Sequence, residues 1–167
     1  DFGGVGENSA SMPFPVAYTL KSEYPGMVEE VVRVFNFQSD RSLLEYEGQK
    51  LSESRFYFAD STFFGIFEHE FISGDPSTAL LEPNAVVITE STARKYFREE
   101  DPMGKVIKFE NYLPLKVTAV IKDVPGQTHF RFDFIASLSS MKQTFGGRLP
   151  GTWVWNPCWT YILLAKG

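Results

Sequence analysis

The amino-acid sequence predicts an α+β fold built mainly from short strands. About eight or nine segments are apolar throughout or alternate like strands, whereas about four have the spacing of short helices. The predicted strands are grouped in hairpins, but a doubly wound sheet requires regular alternation of strands and helices. These observations favour a sheet-rich α+β domain.

The chain begins with a Gly/Ser/Asn-rich stretch, residues 1–12, that we expect to be loose. A helix is predicted next, because apolar side chains recur every four residues at Val16, Leu20 and Tyr24. Pro25-Gly26 is expected to end this helix. Residues 28–37 then form a strand that is apolar on both faces, which predicts burial on both faces.

Three strands and two short helices are predicted in the next stretch. Ser42–Glu47 and Lys50–Ala59 read as strands joined by a tight turn at Gly48-Gln49. Asp60-Ser61-Thr62 is a good N-cap cluster for a helical turn at Phe63–Phe67. After a strand at 68–73, Asp75 followed by Pro76 predicts the start of a helix over 77–81.

The second half of the chain is also predicted to contain both strands and short helices. A buried strand at Ala85–Ile88 leads to a helix at Glu90–Phe97, capped by Thr89 or Ser91. Four further segments follow: strands at 105–109, 115–124 and 131–138, and a short helix at 139–144. A tryptophan-rich loop then precedes a last strand at 159–165.

The composition of the 167-residue chain excludes several classes of protein. A hydrophobic fraction of 43% argues against disorder, and a single cysteine excludes a disulfide scaffold. No apolar run approaches the roughly 20 residues of a membrane-spanning helix. With 16 Lys+Arg against 21 Asp+Glu and no basic patch, nucleic-acid binding is not expected. The length suits one domain or two small lobes.

Groups that could support catalysis are scarce in the sequence. Cys158 and His129 could form a nucleophile–base pair, but the residues around Cys158 match no thiol-protease signature. We therefore expect Cys158 to be a small buried side chain. Adding His69 still leaves too few ligands for a structural zinc site. The sequence predicts no catalytic residue, no metal site and no cofactor.

Trp153 and Trp155 are the candidate partner-binding residues. Their side chains would share one face if the stretch were extended, and exposed tryptophans are good contact points for a partner. The other interpretation is that they pack against a neighbouring lobe.

The order of several segments resembles that of a known family, the MacB-like periplasmic core domain of FtsX/MacB-type ABC transporter permeases. The likeness extends over most of the chain. The segments that carry it are Phe63-Phe64, Gly74-Asp75-Pro76, residues 86–97, residues 101–107 and residues 117–125.

The resemblance implies a porter-like βαβ lobe with an inserted, strand-rich lobe. Residues 1–37 together with 156–167 correspond to the porter-like lobe, and residues 38–155 to the inserted lobe. The strand and helix that the family places beyond the two ends are missing, as are the transmembrane helices. The porter-like lobe is therefore expected to be incomplete.

The resemblance also implies a function without bond-making chemistry. Such a domain lies on the periplasmic or extracytoplasmic face of the cell membrane, as part of a membrane protein. There it couples ATP-driven motion of transmembrane helices to export, lipoprotein release or hydrolase activation. The implied partners are a cytoplasmic ABC ATPase, a second permease copy, and a periplasmic protein or peptide substrate.

Two other functions stay open at this point. The chain could be a free-standing extracytoplasmic module that binds a peptide or glycan through Trp153 and Trp155. It could also be a hydrolase that uses Cys158.

Overall fold

A computed structural model describes residues 11–37, 39–128 and 130–166. The described residues form eleven strands, four α-helices and a short 3-10 helix at Leu138–Ser140. The strands are β1 Ser11–Met12, β2 Val28–Phe35, β3 Ser42–Tyr46, β4 Gln49–Glu53, β5 Phe56–Ala59, β6 Phe71–Ser73, β7 Ala85–Thr89, β8 Val106–Phe109, β9 Leu113–Ile121, β10 Phe134–Ser137 and β11 Cys158–Leu164. The helices are α1 Val16–Glu23, α2 Phe63–Ile66, α3 Glu90–Phe97 and α4 Met141–Thr144.

All eleven strands belong to one sheet. Ten of them follow the order β1-β11-β2-β5-β10-β7-β9-β8-β3-β4, and β6 pairs with β9. Two pairs, β5 with β10 and β7 with β9, are parallel, and the other pairs are antiparallel. A mixed sheet with a few short helices confirms the predicted α+β class.

The core lies on both faces of this sheet. One hydrophobic cluster includes Phe35, Phe58 and Phe134. The opposite cluster includes Val32 and Phe63. Because central strands are covered on both faces, they are apolar in nearly continuous runs, as predicted for β2.

Several boundaries differ from the sequence prediction. The predicted strand over 50–59 is two strands, because the chain bends at Ser54-Arg55 and sends β4 and β5 to different parts of the sheet. The β3–β4 turn lies at Glu47-Gly48, both with positive φ, instead of Gly48-Gln49. β2 ends at Phe35, before Phe37 with φ 56°.

The predicted helix after Asp75-Pro76 is wrong, because residues 76–81 form successive turns. The Asp75 carboxylate accepts hydrogen bonds from the backbone N–H and the hydroxyl of Ser77, at 2.8 and 2.7 Å. Gly74, just before it, has φ 88°, and a Cβ there would lie 2.5 Å from the Cβ of Ala119. The segment is therefore fixed by close backbone packing on β9 instead of by helix formation.

Two predicted N-caps have different outcomes. Thr89 caps α3, since its side chain accepts a hydrogen bond from the N–H of Thr92. In contrast, the side chain of Thr62 does not cap α2; its hydroxyl donates to the carbonyl of Val31 at 2.7 Å. Asp60 was also predicted as part of that cap, but its carboxylate accepts hydrogen bonds from the guanidinium of Arg33.

Arg33 and Asp60 form a buried ion pair between β2 and the end of β5. Each residue is only 8% exposed. The guanidinium donates to the two carboxylate oxygens at 2.8 and 2.9 Å. Burial alone lowers the pKa of Arg33, but the hydrogen bonds and the charge of Asp60 outweigh it, so that this pKa is above its ordinary value.

The same guanidinium also holds the start of α1. It donates to the carbonyl of Phe14 at 3.2 Å and lies 4.6 Å from the centre of the Tyr18 ring. Three elements, α1, β2 and β5, therefore meet at one charged group.

We expect Asp60→Ala to lower the free energy of unfolding by about 3 kcal/mol, because the guanidinium would be left buried and unpaired. Urea denaturation followed by tryptophan fluorescence measures this loss. Glu70→Ala, which removes the exposed Lys122–Glu70 ion pair, is the control and should leave stability nearly unchanged. Equal losses in both variants would contradict the role of the buried pair.

Candidate functional site

The candidate site centres on the loop between α4 and β11 that carries Trp153 and Trp155. Residues 151–157 are not in a strand, and the chain bends at Trp153-Val154. The extended geometry that would place both indoles on one face is therefore not present. The two tryptophans have to be considered separately.

Trp155 is anchored on the core. It is 37% exposed, and its ring lies edge-on to Phe14, Phe35 and Phe145, with centroids 5.7, 6.3 and 5.9 Å away. Edge-on rings at these distances are a favourable aromatic arrangement. Much of the Trp155 side chain is therefore packed on the core.

Trp153 and Val154 extend further into solvent. They are 57% and 89% exposed, respectively. The N–H of Val154 donates to the hydroxyl of Thr152 at 3.3 Å, a local contact within the bend. The loop thus combines one anchored indole with two exposed apolar side chains.

The exposed rings continue beyond the loop. Phe37, 39% exposed, lies 6.2 Å from Phe145, which also contacts Trp155. Phe37 and Tyr112 line a groove of about 530 Å³. We call Phe37, Tyr112, Phe145, Trp153 and Trp155 the aromatic surface.

Sequence reasoning missed three members of this surface. The strand predicted over 28–37 includes Phe37, but the positive φ of Phe37 places it in the connection after β2. Tyr112 lies in the tight β8–β9 turn, and its hydroxyl is 3.5 Å from that of Thr144 on α4. Phe145 directly follows α4. Their proximity depends on sheet order, which the local pattern does not contain.

Cys158 has the environment of a core residue. Its side chain is fully buried in the cluster with Phe35. Burial raises the pKa of the thiol to about 12, although the nearby Arg33 guanidinium lowers it. A thiol of this kind is a poor nucleophile, because the thiolate is the reactive form. His129, its suggested partner, lies outside the described residues.

The histidine and acidic side chains of the described residues were the other candidates for a metal or catalytic site. Within them, no three His, Cys, Asp or Glu side chains are grouped so that they could hold a metal ion. His69 is half-buried among phenylalanine rings, and burial lowers the pKa of its imidazole. None of the helices in these parts of the chain is long and apolar enough to cross a membrane.

We expect Trp155→Ala to lower the free energy of unfolding by about 2 kcal/mol, because it removes three ring contacts from a partly buried side chain. Trp153→Ala is the matched variant in the same loop and should change stability by less than about 0.5 kcal/mol. Thermal and urea denaturation provide the comparison. A larger loss for Trp153→Ala than for Trp155→Ala would contradict the anchoring of Trp155.

We expect the Cys158 thiol to resist iodoacetamide at pH 8 in the folded protein. With a pKa of about 12, roughly one thiol in ten thousand is ionised at that pH, and the group is buried as well. Mass spectrometry should find full alkylation only after unfolding in guanidinium chloride. Alkylation of the folded protein at the rate of a free cysteine would contradict this description.

Comparisons with known proteins agree with this fold. Curated proteins give no match to the sequence. Among solved structures, a domain assigned to a permease protein of Porphyromonas gingivalis is similar, with a TM-score of 0.73 and 22% identity. The alignment covers 95% of this chain and 71% of that one.

Two further structures are similar at 18% identity. The extracellular domain of the noncanonic ABC-type transporter YknZ from Gram-positive bacteria has a TM-score of 0.67, with 95% of this chain and 76% of that chain aligned. The periplasmic region of MacB from Actinobacillus actinomycetemcomitans has a TM-score of 0.63, with 84% of this chain aligned. The aligned part is 62% of that MacB region. At these identities the likeness establishes the fold alone.

The family comparison extends over nearly the whole sequence. Residues 2–167 match the family described as the MacB-like periplasmic core domain. The resemblance to this family is thus confirmed, and the chain belongs to the MacB-like periplasmic core domain family.

Proposed function

We propose that this chain is the extracytoplasmic domain of an ABC transporter permease and couples ATP-driven motion of transmembrane helices to a partner or substrate outside the cytoplasm. The observation that carries the proposal is the family match over residues 2–167. Two of the similar solved structures support it, since one is a domain assigned to a permease and another is the extracellular domain of an ABC-type transporter. Export, lipoprotein release and hydrolase activation are the outputs that we consider.

In this proposal the chain itself breaks no bonds. The matched family is a transporter permease domain, and the buried Cys158 thiol is a poor nucleophile. ATP hydrolysis takes place in a cytoplasmic ABC ATPase, which acts through the transmembrane part of the permease. A second permease copy and a periplasmic protein or peptide complete the proposed set of partners.

We also propose that the fold divides into two mechanical parts. Residues 1–37 with 156–167 form the porter-like lobe, and residues 38–155 form the inserted lobe. The division is supported by the long pairing of β2 with β11, from Phe35–Cys158 to Val28–Leu164. This pairing joins the two sequence segments of the porter-like lobe.

The aromatic surface is the proposed contact with the external partner. Trp153 contributes an exposed indole, and such side chains dominate many protein interfaces. Trp155 is fixed on three rings before any partner arrives, so less side-chain freedom is lost on binding. A free-standing peptide- or glycan-binding module would use the same surface but would not respond to ATP.

We expect the partner contact at Trp153 to change with the ATP cycle. In the permease that carries this domain, p-benzoylphenylalanine at position 153 should crosslink to an extracytoplasmic protein or peptide. The yield should differ between cells with an active ATPase and cells with an ATPase that cannot hydrolyse ATP. Leu81 is the control position, since it is equally exposed at 57% but lies beside the opposite core cluster.

The two positions together decide the outcome. An ATP-dependent yield at 153 with no crosslink at 81 supports coupling. A crosslink at 153 with the same yield in both kinds of cell would contradict coupling and favour a passive binding module. Equal crosslinking at both positions would contradict a specific partner surface.

A further inference from the structure

A second recess lies on the other side of the sheet from the aromatic surface. It has a volume of about 440 Å³ and is bordered by α2, the residues that follow it, and Gln127, Thr128 and Phe130. Its apolar lining consists of Phe63, Ile66, Phe67 and Phe130. We call it the phenylalanine pocket. Its size and mainly apolar wall are those of a small-molecule site.

Aromatic rings form the floor and the walls of this pocket. Phe63 is fully buried at the floor, whereas Phe67 and Phe130 are only partly buried. The ring centres of Phe67 and Phe130 are 5.0 and 6.1 Å from that of Phe63. The His69 ring lies parallel to Phe63 at 6.1 Å. A ligand in the pocket would therefore contact the partly buried rings of Phe67, His69 and Phe130, with Phe63 behind them.

The charge on the described lining of the pocket is negative. Glu68 lines the pocket, is exposed, and forms no ion pair with any residue that the structure describes. The nearby Lys122 ammonium is bound to Glu70 at 2.6 Å. His69 is neutral at pH 7, because burial lowers the pKa of its imidazole below the ordinary value. No lysine or arginine is part of the described lining.

Two neutral polar side chains, Gln127 and Thr128, complete the described lining. The hydroxyl of Thr128 donates to the carbonyl of Pro125 at 2.8 Å. A metal ion such as Ca²⁺ would need six or more oxygen ligands, which this lining does not supply. An anion would meet the Glu68 carboxylate and the negative faces of the rings.

We propose that the phenylalanine pocket binds an organic ammonium group carried on a small apolar body. The ring faces attract the cation, the Glu68 carboxylate balances its charge, and Ile66 contacts the apolar part. This site is independent of the aromatic surface and of ATP-driven coupling. Its test can therefore succeed or fail without bearing on the proposed function.

Choline and its uncharged shape-match, 3,3-dimethylbutan-1-ol, form the decisive probe pair. Titration of the isotope-labelled chain, followed by NMR, should show saturable shifts of the Phe67 and Phe130 ring signals with choline. The alcohol should bind about tenfold more weakly, because it has no charge to interact with the rings and Glu68. Equal binding of the two probes, or no saturable shift with choline, would overturn the proposal.

Variants separate the two sources of attraction. Glu68→Gln should weaken choline binding about threefold and leave the alcohol unchanged, whereas Glu70→Gln should change neither. Phe67→Leu keeps the wall apolar but removes one π-system, so it should weaken choline about threefold and not the alcohol. Choline shifts centred on Trp153 or Trp155 would overturn the assignment of the site. If Phe67→Leu does not fold, the probe pair and Glu68→Gln decide the outcome.

Discussion

The buried ion pair between Arg33 and Asp60 is the interaction on which the position of the aromatic surface depends. Asp60 accepts hydrogen bonds from both the side chain and the backbone N–H of Arg33, which fixes β2 against the end of β5. Arg33 in turn donates to the carbonyl of Phe14. The Phe14 ring supports Trp155. A charge inside the sheet is thus connected, through one backbone carbonyl and one ring, to the surface that we propose meets the partner.

The sheet separates two surfaces of different chemistry. The aromatic surface adjoins the cluster that contains Phe35, whereas the phenylalanine pocket adjoins the cluster that contains Phe63. Side chains that share no neighbours usually act independently on stability and binding. One chain can therefore contact a macromolecule on one face and hold a small cation on the other, with little interference between the two.

Local patterns predicted most of the elements but few of their neighbours. The spacing of apolar residues was enough for α1, α3 and most strands, since these depend on burial of one face. The helix predicted from Asp75-Pro76 was wrong, because an aspartate can accept hydrogen bonds from the residue two positions later, here Ser77, without a helix following it. Arg33, a charge within an apolar strand, signals a buried partner, but that partner is 27 residues away and is identified only by the pairing of β2 with β5. The difference between Trp153 and Trp155 likewise depends on rings from distant elements.

The pairing of β2 with β11 has a consequence for how the chain is made. Val34 pairs with Trp159, roughly 125 residues later, and such distant pairings form slowly. During synthesis β2 therefore emerges from the ribosome long before β11 exists, and the edge of β2 that pairs with β11 stays open until then. An unprotected strand edge of this kind promotes aggregation. Production of this protein should thus depend on holding the nascent amino-terminal segment apart from other chains until translation is complete.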